Sequence, residues 1–349
     1  MLPASRLWRS LFRRPWKPLV FPNDGFARIS ANVKIEEETT PDYVASRYYP
    51  VRIGEILHAK YQVVGKLGFG VTSTVWLARD LMSVMCHPHG AYPLNCCCSE
   101  RRHVALKLFI DSKSIGAEKE TELNVFKLID KTRKSHPGRE AVRSLLNSFE
   151  VEGPDGRHQC LVHPPLWESI LHVRHRNPIE KLPATLVAFM LKRLFQALDF
   201  LHNECHVAHT DIKEANILVG ADKAVLQAFE EEALSEPCPR KEVDGRTVFL
   251  SRELNMPKRP GEPVLCDFGS AQYLNDGIEH REDIQPNVYR APEVILGIPW
   301  TYSVDIWNVG CVVSGGSLTE RHGADDCPLT CRSGTLSRAN IYSLVTIQS

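Results

Sequence analysis

The sequence has no excess of either charge: its 349 residues carry 42 Lys and Arg against 42 Asp and Glu. A neutral chain has no global field with which to hold nucleic acid, so direct nucleic-acid binding is not expected. No apolar run approaches the ~18–20 residues that span a bilayer, so no membrane association is expected either. No secretory leader accompanies the 11 cysteines, an odd number scattered along the chain, and they read as thiols of a reducing compartment. Zinc-site spacing is also missing. In the segment 81–100, Cys96, Cys97 and Cys98 are adjacent and cannot easily converge on one tetrahedral ion. What is present, 43% apolar and 24% charged residues, suits a globular enzyme-sized protein and excludes collagen-like or wholly disordered chains.

Residues 1–23 interleave Arg6, Arg9, Arg13, Arg14 and Lys17 with Leu2, Leu7, Trp8, Leu11, Phe12 and Trp16. They read as a basic tail, or as a mitochondrial-type targeting helix broken by Pro15. An acidic linker follows at 36–42, and residues 1–47 are expected to be a disordered tail and linker. From Tyr61 the pattern is strand-like: Tyr61-Gln-Val-Val-Gly-Lys-Leu67, a glycine turn, then Thr74-Val-Trp-Leu-Ala78. Val104 to Ile110 is a third strand. An amphipathic helix follows over 117–129, with Leu123, Phe126 and Leu128 or Ile129 inward. After Pro183, the positions of Leu186, Phe189, Met190, Leu194, Leu198 and Leu201 predict a long core helix. Three segments break this rhythm: an atypical insert at 81–100, an acidic-then-basic, proline-rich stretch at 221–262 that reads as an inserted loop, and a Ser/Thr/Gly-rich tail from Ser314. The expectation is an α+β chain with a sheet-based region at 48–180 and a helical one at 181–313.

The chemistry-bearing residues fall in a fixed order. Residues 67–75, Leu67-Gly68-Phe69-Gly70-Val71-Thr72-Ser73-Thr74-Val75, place two glycines at a strand turn where backbone N–H groups could approach phosphate oxygens, although Ser73 stands where a third glycine would. Lys107, two residues after Ala105 on an apolar strand, needs an anion; Glu122 on the next helix is one candidate and a nucleotide phosphate another. His209-Thr-Asp-Ile-Lys-Glu-Ala-Asn216 is followed by Asp267-Phe-Gly269 and Ala291-Pro-Glu293. In that set Asp211 can orient and deprotonate a hydroxyl, Lys213 can neutralise a γ-phosphate, and Asn216 with Asp267 can hold magnesium.

With these motifs the chain resembles the eukaryotic protein kinases, and among them the SR-protein kinase group, fungal members especially. The further matches are Gly-Val-Thr-Ser-Thr-Val-Trp-Leu at 70–77, His-Thr-Asp-Ile-Lys at 209–213, and Glu-Asp-Ile-Gln-Pro-Asn-Val-Tyr-Arg-Ala-Pro-Glu-Val-Ile-Leu-Gly at 282–297. The resemblance covers about Tyr48 to Val313, with the segment Leu81 to Glu100 excluded. It implies a bilobal fold with a β-rich N-lobe and a helical C-lobe, ATP and Mg²⁺ as cofactors, and serine/threonine specificity. It also implies Arg/Ser-rich substrates such as splicing factors, a monomer, and a cytoplasmic and nuclear location. Lys213 favours the Ser/Thr kinases over the tyrosine group. Thr210 stands where many kinases carry an arginine that couples a phosphorylated activation loop to the site, so independence from loop phosphorylation is expected.

The family pattern runs through Trp300 to Cys311 and then stops, with adjacent glycines at 315–316 where helix should continue. The C-lobe is therefore expected to be incomplete, with 81–100 and 314–349 as non-native coding sequence. Glu293 should lack its family arginine, Leu194, Leu198 and Trp307 should be uncovered, and a weakly active or non-catalytic remnant is the alternative reading.

Overall fold

The computed structural model describes residues 16–82, 102–111, 118–132, 135–178, 181–275 and 277–316. Most of the 81–100 insert, the first fifteen residues and the tail beyond Gly316 lie outside the described residues. The expected α+β character is observed. In chain order the elements are β1 (Ile56–Leu57), β2 (Tyr61–Phe69), β3 (Ser73–Asp80), β4 (Arg102–Asp111), α1 (Glu118–Lys131), β5 (Asn147–Glu152) and β6 (Arg157–His163). Then come β7 (Leu166–Ser169), α2 (Ile170–Arg176), α3 (Ala184–Asp199), β8 (Val207–Ala208), β9 (Ile217–Gly220) and α4 (Lys223–Ser235). The order closes with β10 (Arg240–Val243), β11 (Arg246–Phe249), β12 (Pro263–Leu265), β13 (Gln272–Tyr273), α5 (Pro292–Ile295) and α6 (Ser303–Gly316). The chain divides into two compact units, one comprising 1–126, 143–168 and 219–262, the other the remainder.

The first unit is built on an antiparallel sheet in the order β1-β2-β3-β4-β6-β5. Successive side chains alternate between its faces. On one face Val63, Trp76, Ala78, Val104, Leu106, Leu108, Cys160 and Val162 form a buried core. On the other lie Ala105 and Lys107, opposite Leu77 and Val75 of β3 and His163 and Leu161 of β6.

The stretch at 221–262, expected as a loop, folds as α4 and a β10–β11 hairpin. Asp222 caps α4 by accepting from the Val225 N–H at 2.9 Å. Cys238 and Phe249 belong to the apolar core, which otherwise would face water. Phe229 of α4 lies so close to Gly65 of β2 that an added Cβ would sit 2.9 Å from its ring. Glu230 of α4 pairs with Arg79 at 3.2 Å and His103 at 2.8 Å.

Residues 16–47 are likewise not a disordered tail. The Lys66 side chain is fully buried on β2, and an unpaired ammonium there would be prohibitively costly. It is met by Glu37, by Glu36 at 3.4 Å and by the Phe249 carbonyl at 3.1 Å. Glu38 pairs with Lys241 of β10 at 2.7 Å. The acidic run expected as a linker is thus a set of counter-ions for buried lysines.

In the second unit α3 buries Val187, Met190, Leu194 and Leu198 at helical spacing. Phe189, expected on that stripe, is 40% exposed because it is one residue, about 100°, away from Met190. Leu194 and Leu198, expected to be uncovered, are buried, and Trp307 is half-buried. α6 buries Val304, Asp305, Asn308, Val309 and Val312, and its helix continues through Gly316 past the expected break at Val313.

Candidate active site

The first unit carries Lys107, Glu122 and the glycine hairpin. Lys107 sits mid-sheet between Val75 and Leu161, and its Nζ lies 2.7 Å from Glu122 Oε2 of α1. Of the two anions the sequence left open, the carboxylate is therefore in place, and it is 2% exposed. The Lys107 side chain is 18% exposed. Residues 67–75 span the end of β2, the turn 70–72 and the start of β3, closed by the Gly70 N–H donating to the Ser73 carbonyl at 2.8 Å. A Cβ on Gly68 would meet nothing, and one on Gly70 only Ser73 at 3.9 Å. The hairpin does not itself demand these glycines. The clear space above the backbone suits a bulky anion brought close to the N–H groups. Phe69 and Val71 are exposed at the turn, whereas Ser73 and Thr74 are buried.

The second unit carries Asp211, Lys213, Asn216 and Asp267. Asn216 Nδ2 donates to the Asp211 carbonyl and to Oδ2, both at 2.8 Å, while Lys213 Nζ reaches Oδ1 at 3.0 Å and Oδ2 at 2.8 Å. With its amide nitrogen so committed, Asn216 presents Oδ1 as an oxygen ligand. The Cys266 N–H donates to the Asn216 carbonyl at 2.8 Å, which sets the exposed Asp267 beside the same loop. One carboxamide and one carboxylate suit a Mg²⁺ that takes its remaining ligands from phosphate and water. Among the described residues no group of three or more His, Cys, Asp or Glu forms a metal cluster.

The loop is strained and held from behind. Thr210 and Asp267 adopt φ of +63° and +67°, the first unusual for a β-branched residue. Buried Asp305 of α6 accepts from the Thr210 N–H at Oδ1 and from the His209 N–H at Oδ2, each at 2.8 Å. Its Oδ2 also meets His202 Nε2 at 2.8 Å, from the π-helical turn Phe200–Glu204 that continues α3. Thr210 Oγ1 donates to the Ser270 carbonyl at 2.7 Å, and the His209 ring packs on Phe268 and reaches the Cys266 carbonyl. Thus the hydroxyl that replaces the usual arginine ties the catalytic loop directly to the segment after Asp267.

A family model described as protein kinase domain matches residues 95–317. The chain belongs to the protein kinase family. It is 38% identical to a serine/threonine protein kinase of Aspergillus fumigatus over 90% of this chain and 72% of that one. It is 30% identical to the serine/threonine-protein kinase SRPK of Physarum polycephalum, over 80% of this chain and 65% of the relative. With SRSF protein kinase 3 of Mus musculus the identity is 34% over 57% and 32% of the two chains. The enzyme is a serine/threonine protein kinase of this type, and its family uses a nucleotide and a divalent metal.

The structure brings Lys107 to Glu122, and Asp211 to Lys213 and Asn216, while Leu67, Gly68 and Phe69 end β2, Gly70, Val71 and Thr72 form the turn, and Ser73, Thr74 and Val75 open β3. Glu293, expected to lack its family arginine, is half-buried and accepts from Ser303 Oγ at 3.1 Å. Sequence reasoning missed the part-buried Arg174–Glu214 pair, 3.0 Å apart, which ties α2 to the catalytic loop. An arginine in a short helix and a glutamate beside Lys213 carry no motif that could have signalled it.

Proposed function

We propose that this kinase transfers the γ-phosphoryl group of ATP to serine hydroxyls in Arg/Ser-rich proteins. The observation that carries the chemistry is the Asp211 cluster, a carboxylate held by Asn216 and backed by Lys213. Bound MgATP supplies the phosphoryl group and the cation that screens its charge. Asp211 accepts the serine proton as the hydroxyl oxygen bonds to phosphorus and the β–γ bridging oxygen departs with ADP. Lys213, now on Asp211, can turn to the charge developing on the transferred group. Lys107, fixed by Glu122, orients the nucleotide phosphates, and Asn216 with Asp267 holds Mg²⁺.

The Arg/Ser substrate class is supported by the relatives named for SRPK and SRSF kinase activity. Cytoplasm and nucleus are the compartments proposed on the same ground, and a tagged chain confined to mitochondria would contradict them. The substrate reading is tested by comparing an Arg-Ser repeat peptide with an acidic serine peptide under Mg-ATP. Efficient phosphate incorporation into the first alone is expected; equal use of both would overturn it.

A further inference from the structure

The glycine turn is held from outside the sheet. Tyr48, 8% exposed, donates its hydroxyl hydrogen to the Val71 carbonyl at 3.0 Å, a span of 23 residues. Val71 is the exposed tip of the turn between Gly70 and Thr72, and its carbonyl belongs to the peptide beside the N–H groups that would face phosphate. On the sheet side the turn is tied to β4, where the Ile110 N–H donates to the Thr72 carbonyl at 2.9 Å. Tyr48 is itself fixed at both ends. Its ring packs on Tyr43 with centroids 5.2 Å apart, and its carbonyl accepts from Arg246 Nη1 at 2.7 Å. Arg246 opens β11 of the insert and also pairs with Asp155. A continuous path of polar contacts therefore runs from the insert, through the segment before the sheet, to the tip of the phosphate turn.

We infer that Tyr48 is a positioning residue for nucleotide binding, its hydroxyl setting the glycine turn in the conformation that receives phosphate, with Arg246 of the insert holding Tyr48 in register. The inference rests on the kinase reading of the site and adds to it a role for two residues outside every kinase motif in the sequence. Burial raises the Tyr48 pKa, so the hydroxyl keeps its proton and remains a donor throughout the working pH range. The turn between β2 and β3, residues 70–72, includes Gly70 and follows Gly68 at the end of β2, and glycines widen the range of conformations an unheld hairpin tip samples. Fixing it before the ligand arrives lowers the ordering cost of binding.

The test uses the full chain with Tyr48→Phe, which keeps the ring and removes the hydroxyl, and with it the bond to Val71 and the contact with Thr40. Nucleotide affinity is measured directly with Mg-ADP, alongside KM for ATP, kcat and the ligand-free melting curve. One neutral hydrogen bond corresponds to about a threefold to tenfold loss of affinity. The expected result is a weaker Kd and a raised KM for ATP by that factor, with kcat and the ligand-free melt unchanged. Arg246→Lys should give a smaller change of the same kind. A Tyr48→Phe chain that binds Mg-ADP as tightly as wild type overturns the inference and leaves the kinase reading intact. An equal loss of kcat and melting temperature without a KM effect would overturn it too, by making Tyr48 merely structural. Wild-type chain that binds no Mg-ADP would instead overturn the kinase reading itself.

Discussion

Replacing Asp305 by Asn tests how much of the catalytic geometry is imposed from behind. The carboxylate receives three bonds: the Thr210 N–H at Oδ1, and the His209 N–H and His202 Nε2 at Oδ2, all at 2.8 Å. An asparagine has one acceptor oxygen. Placed toward His209 and His202, it turns its NH₂ against the Thr210 N–H; flipped, it abandons the other two. Either way at least one buried N–H loses its acceptor and faces another donor. Bonds to a charged group contribute about 1.5–3 kcal/mol each, and the remaining bonds lose their charge assistance, so the total cost is about 3–5 kcal/mol. Part of it is recovered by letting Thr210 leave its φ of +63°, a conformation costing about 1–3 kcal/mol. That relaxation moves Asp211, the next residue, and a displacement of about 1 Å at a reacting group costs about 10²-fold in rate. Asp305→Asn is therefore expected to lower kcat about a hundredfold with little change in Mg-ADP affinity, measured by steady-state phosphorylation and nucleotide titration. A kcat within twofold of wild type would refute the view that Asp305 holds the loop.

Lys66→Met should destabilise the first unit by about 3–5 kcal/mol in urea unfolding, since it leaves Glu36 and Glu37 buried without their cation; no change would restore the tail reading of residues 16–47. Acid should weaken the same unit. Burial, with Arg143 and Lys107, holds His163 well below its ordinary 6.5, and burial also lowers His158. Because the unfolded chain takes up these protons first, stability falls as pH drops through about 6.5, and a melting temperature that rises from about pH 7.5 to about pH 5.5 would contradict this. Thr210 offers no cation to a phosphate, so phosphorylation between Asp267 and Glu293 should leave kcat nearly unchanged; a large gain would show another receptor for it.

The parts legible in the sequence were those whose chemistry demands a local pattern. β2 to β4 announced themselves by alternation, and Asp211, Asn216 and Asp267 by spacing, because loop geometry permits few alternatives. The parts that were hidden depend on distant partners. Glu36, Glu37 and Glu38 look like any solvated acidic run until Lys66 and Lys241 are seen buried opposite them. The 221–262 stretch has prolines and mixed charge, yet α4 is specified by its Asp222 cap and by Phe229 fitting the space that Gly65 leaves. Lys107 could be assigned an anion but not a particular one, since only tertiary structure sets it 2.7 Å from Glu122.

The central claim is that Asp211 does phosphoryl-transfer chemistry. It is tested most directly by incubating the purified chain with Mg-ATP and an Arg-Ser peptide beside its Asp211→Asn variant, while titrating both with Mg-ADP. The account predicts phosphoserine formation by the wild type, its loss in the variant, and equal nucleotide affinity in the two. Turnover by Asp211→Asn at the wild-type rate, or none by a wild-type chain that binds nucleotide, would contradict it.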